Sequence, residues 1–343
     1  MTTWAVVLAG GVGSRFWPLS TPTRPKQLLP LATDKPLLCD AIDRLRPIVS
    51  PQRMLVLTNE SLVAPIARLV PDLPPGNLIA EPRPAGTAAA LTWAAHEIVR
   101  RDGPDAVMIS VHADWVVADA EGYRDTLAKA VRVAASHHAL VTVGVVPDRP
   151  DPGFGYIQPG KELEAGVCRV ARFVEKPDRH RAAKMVDEGF LWNSGIFVWC
   201  AGDFLDDVRK LTPEIAPALH AHSDDREAFF ANVTPIAVDN GVLERSDRVA
   251  VLPGDFGWDD IGTWGALRRL ESEPDVNVTH GAVHAVDSRN NVVHAESASV
   301  VLYGVSDLVV VERDGLVLVT TAEKSAELKT LLDALPRGLR DRE

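Results

Sequence analysis

Short, almost uninterrupted apolar runs alternate with segments of helical periodicity through the first half of the chain. Runs of this kind are typical of strands buried on both faces of a sheet. The segments between them, such as 86–101, space their apolar residues as helices do. This alternation predicts a doubly wound, mainly parallel α/β sheet of the Rossmann-like class. The runs are WAVVLA (4–9), RMLVLT (53–58), NLIA (77–80), AVMISV (106–111) and LVTVGVV (140–146).

Two later regions depart from this alternation. From about 150 to 262 the order of predicted elements is mixed, which we interpret as an insertion that builds a second wall of a cleft. After about 275, short β-like runs such as NVVHAE and SVVLYG precede an amphipathic helix around 323–335. We therefore predict a main domain over 1–272 and a small C-terminal β domain over 273–343.

Charge and composition argue against several classes of function. The 47 acidic residues outnumber the 36 basic ones, and the net charge is −11. No basic block interleaved with aromatic residues occurs, so nucleic acid is not an expected partner. No window approaches eighteen uninterrupted apolar residues, and no basic region precedes the first apolar run; we expect a cytoplasmic protein with no membrane segment. The three separated cysteines predict reduced, mostly buried thiols.

A glycine-rich loop follows the first predicted strand, in the stretch LAGGVGSRFWPLSTPTRPKQLLPL (8–31). In a parallel sheet this position is the carboxyl edge, where ligands bind. Gly10, Gly11 and Gly13 allow backbone N–H groups to approach an anion, and Arg15 and Lys26 add fixed positive charge. The spacing is neither that of a P-loop nor that of a dinucleotide fingerprint, which disfavours a dehydrogenase. The loop therefore predicts another kind of phosphate site.

The same stretch resembles the signature of the sugar-1-phosphate nucleotidyltransferases, and its FWPLS…PKQ motif resembles that of the mannose-1-phosphate guanylyltransferases. The resemblance implies a nucleotidyltransferase fold followed by a small left-handed β-helix. It implies transfer of GMP from GTP to mannose 1-phosphate, giving GDP-mannose and pyrophosphate by direct attack of the sugar phosphate, with Mg²⁺ assistance. Further blocks in family order are FGYIQ (154–158), RFVEKP (172–177), LWNSGIFVW (191–199), VDNGVLER (238–245) and FGWDDIGTW (256–264).

For the nucleotide, the resemblance implies a set of phosphate, metal and base contacts. Asp114 and Asp260 would hold Mg²⁺, which prefers carboxylate and phosphate oxygens. Without the family block, Asp259 or Asp260 would read as the N-cap of a helix starting near Gly262; we interpret Asp260 as the ligand and Asp259 as a cap or solvent residue. Arg15, Lys26, Asp114 and Asp260 are the expected catalytic residues. The expected nucleotide-binding residues are Leu8, Gly10, Gly11, Gly13, Arg15, Lys26, Glu81, Gly86 and Thr87.

For the sugar phosphate, the resemblance implies binding by Gly155, Glu175, Lys176, Asn193 and Asp239. Glu175 would accept hydrogen bonds from mannose hydroxyls and Lys176 would hold the phosphate, while the amide of Asn193 can both donate and accept. The alternative interpretation of Glu175 and Lys176 is a surface Glu-Lys pair before a turn-forming proline.

Two departures from the family pattern leave specificity open. The family usually reads Pro-Ala-Asp-His where this chain has His112, Ala113, Asp114 and Trp115. After Glu81-Pro82 the family commonly has Arg-Asn-Thr-Ala, whereas Ala85-Gly86 replaces Arg-Asn here, so backbone N–H groups at Gly86 to Ala88 would have to serve. Alternatives are therefore a GDP-glucose, GDP-heptose or dTDP-glucose type enzyme, or a non-catalytic regulatory homologue. Exposed apolar edges of the β domain predict a homodimer.

Overall fold

The computed structural model describes residues 2–11, 13–271, 273 and 275–340, and its contacts divide the chain into two compact units. The first unit holds residues up to 10, 42–113 and 117–258. The second unit holds 11–41, 114–116 and the chain from 259 onward. The domain boundary predicted after Ser272 falls on a residue outside the described ones and stays a prediction.

The secondary structure follows the predicted alternation. Over the described residues the strands are β1 (Thr3–Leu8), β2 (Met54–Asn59), β3 (Leu78–Glu81), β4 (Val107–His112), β5 (Val116–Val117), β6 (Leu140–Val145), β7 (Tyr156–Glu164), β8 (Val167–Val174), β9 (Leu191–Cys200), β10 (Val249–Gly254), β11 (Trp258–Asp259), β12 (Val278–His280), β13 (Val283–Val286), β14 (Val292–Ala295), β15 (Val300–Tyr303), β16 (Leu308–Arg313) and β17 (Leu316–Thr321). The α-helices are α1 (Leu37–Leu45), α2 (Glu60–Leu69), α3 (Gly86–Asp102), α4 (Ala120–His137), α5 (Arg179–Asp187), α6 (Ala201–Leu211), α7 (Ala216–Ala221), α8 (Arg226–Asn232), α9 (Leu328–Ala334) and α10 (Arg337–Arg340).

The first unit is built on one large sheet with the strand order β3-β2-β1-β4-β9-β6-β10-β8-β7. Strands β1 to β4, β6, β7 and β10 run in one direction, and β8 and β9 run against them. The prediction of a doubly wound, mainly parallel sheet is therefore confirmed. The strand order reverses between β1 and β4, whose last residues, Leu8 and His112, are paired in register. That reversal marks the edge where ligands bind in such sheets.

Burial explains why the apolar runs are strands. The side chains of Ala5 to Val7 in β1 and Leu55 to Leu57 in β2 are fully buried. Helix α3 covers part of this core with alanines and Trp93, and Trp93 packs against Phe229 with ring centroids 5.3 Å apart. Burial of such side chains contributes about 1.5–3 kcal/mol each for the larger ones.

The second unit contains the predicted β-helix-like segment. Strands β12, β14 and β16 form parallel pairs, β13 and β15 form another, and β17 closes the first set as an antiparallel strand. Val293, Leu302 and Val310 form a small core within this segment. The single helix predicted around 323–335 is instead a 3₁₀ turn, Lys324–Glu327, followed by α9.

A larger core in the second unit joins the glycine-rich loop region to the C-terminal strands. Side chains from 16–37 pack with side chains from 261–328, and Phe16 lies against Trp264 with ring centroids 5.0 Å apart. Trp264 also donates its indole N–H to the carbonyl of Trp17 at 3.1 Å. The segment that follows the glycines is thus fixed by packing against residues more than two hundred positions later in the chain.

The three cysteines are free thiols, as predicted, but only Cys200 is buried; Cys39 and Cys168 are half-buried. Among the described residues, none of the helices combines the length and apolar character that a membrane span requires.

Candidate active site

The glycine-rich loop owes its conformation to two glycines of the second unit. Gly11 and Gly13 have φ of 94° and 63°, a region that favours glycine. A side chain at Gly13 would also place its Cβ 2.3 Å from the Cβ of Lys26. Gly13 precedes a 3₁₀ turn, Ser14–Phe16, and Gln27 donates from its side chain to the carbonyl of Gly11 at 3.1 Å. These constraints explain the glycines locally and bring Lys26 close to the loop.

Lys26 lies between the two predicted metal ligands. Its side chain is 7% exposed, and its Nζ lies 3.0 Å from Oδ2 of Asp114. The same amine donates to the main-chain carbonyl of Asp260 and lies 5.7 Å from the ring centre of Phe16. The structure therefore brings together Lys26, Asp114 and Asp260, as the sequence predicts.

Asp260 has a largely buried carboxylate. No described residue donates a hydrogen bond to its carboxylate oxygens, and burial raises the pKa of this carboxyl group above the ordinary aspartate value. Lys26 opposes that shift, while the neighbouring charges of Asp259 and Asp114 add to it. Burying an ionised carboxylate that accepts no hydrogen bond costs free energy of folding unless a cation binds to it. The pair of Asp114 and Asp260 is the kind of oxygen donor set that fits Mg²⁺.

Asp259 is neither a helix cap nor a solvent residue, so that interpretation was wrong. The helical turn begins at Trp264 with Thr263 as its N-cap. Asp259 is 8% exposed; it accepts two hydrogen bonds from Arg269, each 2.8 Å, and one from the N–H of Ile261 at 2.8 Å. These bonds hold Ile261 at φ 41°, an unusual conformation for a β-branched residue. Asp259 thus braces the bend that follows Asp260.

Arg15 is the more exposed of the two predicted cations. Its guanidinium donates to the carbonyl of Gly262 at 3.3 Å. A Cβ on Gly262 would lie 3.2 Å from that guanidinium nitrogen and 3.5 Å from both carboxylate oxygens of Asp260. Gly262 therefore keeps the space between Arg15 and Asp260 open. All four predicted catalytic residues belong to this one group in the second unit.

The predicted sugar-binding residues meet in the first unit. Asn193 donates from its side-chain amide to Oδ1 of Asp239 at 2.7 Å, and its main-chain N–H donates to the carbonyl of Gly155 at 2.8 Å. A Cβ on Gly155 would lie 2.7 Å from Oε2 of Glu175. The strand β9, the loop before β7 and the loop after β8 are thereby brought together at one place.

We call the predicted sugar-binding residues the sugar group. Within it, the carboxylate of Asp239 is the one whose pKa is affected by several neighbours. Burial raises its pKa, the hydrogen bond from Asn193 opposes the shift, and the charges of Glu175 and His112 act in opposite directions. His112 was not among the predicted site residues. It drew attention only as a departure from the family pattern, yet it ends β4 beside Leu8 and acts on Asp239. Its position at the end of a buried strand was the signal available in the sequence.

Lys176 is paired locally with its neighbour. Its amine donates to Glu175, and the two side chains are 66% and 50% exposed. Lys176 also has φ 44°, a conformation that few non-glycine residues adopt and that is concentrated at functional sites. The structure thus shows the surface pair that was the alternative interpretation, held on an unusual backbone.

The predicted base-binding residues surround the start of α3. Gly86 has φ 81°, and a Cβ there would lie 2.3 Å from the carbonyl oxygen of Ile236. The hydroxyl of Thr87 accepts a hydrogen bond from the N–H of Val238 at 2.9 Å, and the N–H of Ala88 donates to Ile236 at 3.2 Å. The expectation that Ala88 offers its N–H to a ligand was therefore wrong, because Ile236 occupies it.

Glu81 ends β3 and lies close to Gly10. An added Cβ on Gly10 would be 3.8 Å from Oε1 of Glu81. Burial raises the pKa of Glu81 to about 7. Leu8, the remaining predicted residue, is 8% exposed, and its carbonyl accepts the N–H of Ala113 at 2.9 Å. The side chain of Leu8 is thus part of the core.

The sequence matches two family models. The model described as "Nucleotidyl transferase" matches residues 4–275, and one described as "MannoseP isomerase/GMP-like beta-helix domain" matches 281–335. The chain belongs to the nucleotidyl transferase family. This membership makes it an enzyme of that family, and the second match agrees with the parallel strands β12 to β16.

Individual relatives of this nucleotidyl transferase carry narrower names. The mannose-1-phosphate guanylyltransferase ManC of Salmonella typhimurium is 36% identical over 97% of this chain and 73% of its own length. The mannose-1-phosphate guanylyltransferase of Escherichia coli K12 is 37% identical with the same coverage of both chains. A crystal structure from Thermus thermophilus, described as a mannose-1-phosphate geranyltransferase, is 34% identical with a TM-score of 0.91, covering 97% of this chain and 99% of that one.

The nucleotidyl transferase site also uses residues that the sequence patterns did not single out. Arg269 donates two hydrogen bonds to Asp259, and the carbonyl of Ile236 accepts the N–H of Ala88 at the start of α3. Each acts by a contact with a residue that is distant or locally unpatterned, so no motif spacing announces it.

Proposed function

We propose that this nucleotidyl transferase transfers GMP from GTP to mannose 1-phosphate, with release of GDP-mannose and pyrophosphate. The choice of substrates is supported by the names of the relatives that are 36% and 37% identical over 97% of the chain. The observation that carries the chemistry is the group in which Lys26 lies between Asp114 and the Asp260 main chain. A buried cation beside two carboxylates suits a reaction between two polyanions.

Asp114 and Asp260 would hold Mg²⁺, and their donor set fits that ion. When bound, the ion would neutralise charge on the phosphates and help to align them. The chain's own contribution includes the amine of Lys26, whose positive charge lowers the pKa of Asp260 against the larger, opposite effect of burial. Arg269 donates its hydrogen bonds to Asp259. The neighbouring carboxylate of Asp260 therefore receives no hydrogen bond from the described residues and is left for a metal ion.

The cations and glycines of the loop would bind the triphosphate. Backbone N–H groups of Gly11 and Gly13 approach an anion without interference from side chains, and Arg15 and Lys26 would stabilise charge on the departing pyrophosphate. No general base is required, because the mannose 1-phosphate oxygen is already ionised at neutral pH. The chain would act by positioning and by electrostatics.

The sugar would be held by the group around Asp239. The carboxylates of Asp239 and Glu175 accept from hydroxyls, and the amide of Asn193 orients Asp239. Gly155 leaves the space beside Glu175 that a hydroxyl needs. Lys176 would leave Glu175 and pair with the sugar phosphate, a change that its exposure allows.

Guanine would be read by Glu81 in this proposal. A carboxylate accepts from the adjacent N–H and NH₂ donors on the guanine edge, a pattern that adenine, uracil and thymine lack. This role supplies the side-chain contact that the replacement by Ala85-Gly86 removes. A different sugar or base is the alternative to these substrates; the homodimer and the cytoplasmic location stay predictions.

The proposal is tested by pyrophosphate release in Mg²⁺ across GTP, ATP, dTTP and UTP, each with mannose, glucose and glucosamine 1-phosphate. We expect release with GTP and mannose 1-phosphate, lost in Asp114→Ala and kept in Asp333→Ala, a matched control at an exposed aspartate of α9. Release with a different pair would replace the substrates and keep the mechanism. No release with any pair in the grid would overturn the proposed substrates.

A further inference from the structure

A histidine, a cysteine and an aspartate come together in the first unit, away from the predicted sugar-binding residues of that unit. One ligand atom from each of His138, Cys200 and Asp203 lies within 4.8 Å of the other two. Tetrahedral coordination with bonds of about 2.0–2.3 Å separates ligand atoms by roughly 3.3–3.7 Å. Small side-chain rotations would therefore bring all three atoms onto one ion.

The ends of three elements place these residues at one edge of the sheet. His138 caps the end of α4 with φ 49°, Cys200 ends β9, and Asp203 lies in the first turn of α6. Cys200 pairs with Val107, which is the first residue of β4. His112, which acts on Asp239 of the sugar group, is the last residue of the same strand. The cluster and the sugar group thus lie at opposite edges of the sheet.

The carboxylate of Asp203 is already held in one orientation. Its Oδ1 accepts from Arg248 at 3.0 Å, and its Oδ2 lies 2.9 Å from Nδ1 of His138. Arg248 donates in addition to the carbonyl of Asp203 at 2.7 Å and pairs with Asp207. Outer partners of this kind fix the carboxylates that ligate metals. Oδ2 is the oxygen that faces the histidine.

Cys200 lies on the inner side of the cluster and His138 on the outer side. The cysteine is 5% exposed, and its sulfur lies 4.0 Å from the carbonyl of Ala134. The imidazole is 66% exposed, so an ion can enter from solvent beside it. Burial and the negative charge of Asp203 raise the pKa of the Cys200 thiol to about 12, which leaves the thiol inert in the absence of a cation.

We propose that His138, Cys200 and Asp203 bind a thiophilic divalent cation of the Zn²⁺ class, with water as the fourth ligand. Binding breaks the S–H bond of Cys200, forms an S–metal bond and passes the proton to solvent, with no electron transfer. The thiolate, the carboxylate and the dication sum to zero charge. A sulfur and nitrogen ligand set favours Zn²⁺ over Mg²⁺, so the site differs in chemistry from the carboxylate pair of the active site.

Cobalt titration of the full-length, chelator-treated protein tests the site, in buffer that contains Mg²⁺. Cobalt bound to a thiolate gives a near-ultraviolet charge-transfer band, which cobalt on the oxygen ligands of the active site does not give. We expect one equivalent of cobalt to produce the band, Zn²⁺ to abolish it by displacement, and Zn²⁺ alone to raise the thermal midpoint.

Four variants decide the assignment. Cys200→Ser removes the band, and His138→Gln, at an exposed position that the fold tolerates, weakens cobalt binding at least tenfold. The matched controls Cys168→Ser and His137→Gln keep wild-type binding, and all four keep pyrophosphate release in Mg²⁺. The proposal is overturned by the absence of a band in the wild-type protein, by a full band in Cys200→Ser, or by unchanged cobalt affinity in His138→Gln.

Discussion

Lys26 Nζ lies 3.0 Å from Asp114 Oδ2, so the cation proposed to bind phosphate and a carboxylate proposed to bind metal form an ion pair in the structure. With Asp260 beside them, two carboxylates share one buried amine. When both carboxylates are ionised, these three side chains together carry one net negative charge, which favours entry of a divalent cation. It also couples the ionisation of each member to the other two.

Replacing Lys26 by alanine is expected to lower turnover far more than stability. The amine is the buried positive charge beside Asp114, and loss of a preorganised charge of this kind costs roughly a hundredfold to a thousandfold in kcat. Pyrophosphate release measures the effect, and thermal unfolding shows whether the fold is kept. Lys329→Ala, at an exposed lysine of α9, is the matched control; wild-type turnover in Lys26→Ala would contradict the assigned role.

Asp260→Asn is expected to stabilise the protein in EDTA while abolishing Mg²⁺-dependent turnover. Because the folded state raises the pKa of Asp260, this carboxyl group stabilises the fold less as pH rises from its ordinary pKa through the raised one. The asparagine amide does not ionise, so the variant avoids this loss of stability. Its thermal unfolding midpoint should exceed that of the wild type by about 2–4 °C at pH 8. The difference should shrink at pH 4. A variant that is less stable at both pH values would show that the carboxylate has a structural partner instead.

Glu81 is expected to make GTP use depend on pH near neutrality. Its pKa is raised to about 7 by burial, so the ionised form needed to accept from guanine becomes dominant only above that pH. We expect kcat/KM for GTP to rise through pH 7, and Glu81→Gln to lower it roughly tenfold to a hundredfold and remove that rise. The same ionisation costs stability as pH rises from about 4.5 to about 7, since the fold favours the protonated acid. An unchanged pH profile in the variant would exclude Glu81 as the group that titrates.

Gly155→Ala tests the sugar group without removing a charge. The new Cβ would lie 2.7 Å from Oε2 of Glu175, and because that side chain is half exposed it can move aside and preserve the fold. We expect KM for mannose 1-phosphate to rise roughly tenfold with little change in KM for GTP. Gly76→Ala, where a Cβ meets nothing within 4 Å, is the control. Equal effects on both substrates would point to a general distortion.

Local patterns were sufficient for the strands but not for the contacts that complete the site. The buried runs that form β1 and β4 were recognised because two-sided burial leaves a local signature. Asp259 was misread because its partner Arg269 and the bend at Ile261 have no signature before the chain folds. The N–H of Ala88 was misread for the same reason, since Ile236, its acceptor, lies 148 positions later. Long-range pairing of this kind is set by tertiary packing.

The core that joins 16–37 to 261–328 has a consequence for synthesis of the chain. The ribosome makes the segment after the glycines first, but Phe16 and Trp17 can bury their rings only when Trp264 and the strands after it have emerged. Contacts of such large sequence separation form late. The earliest-made part of the catalytic apparatus is thus among the last to become rigid, and a nascent chain stalled before residue 264 would expose two aromatic side chains for chaperones to bind.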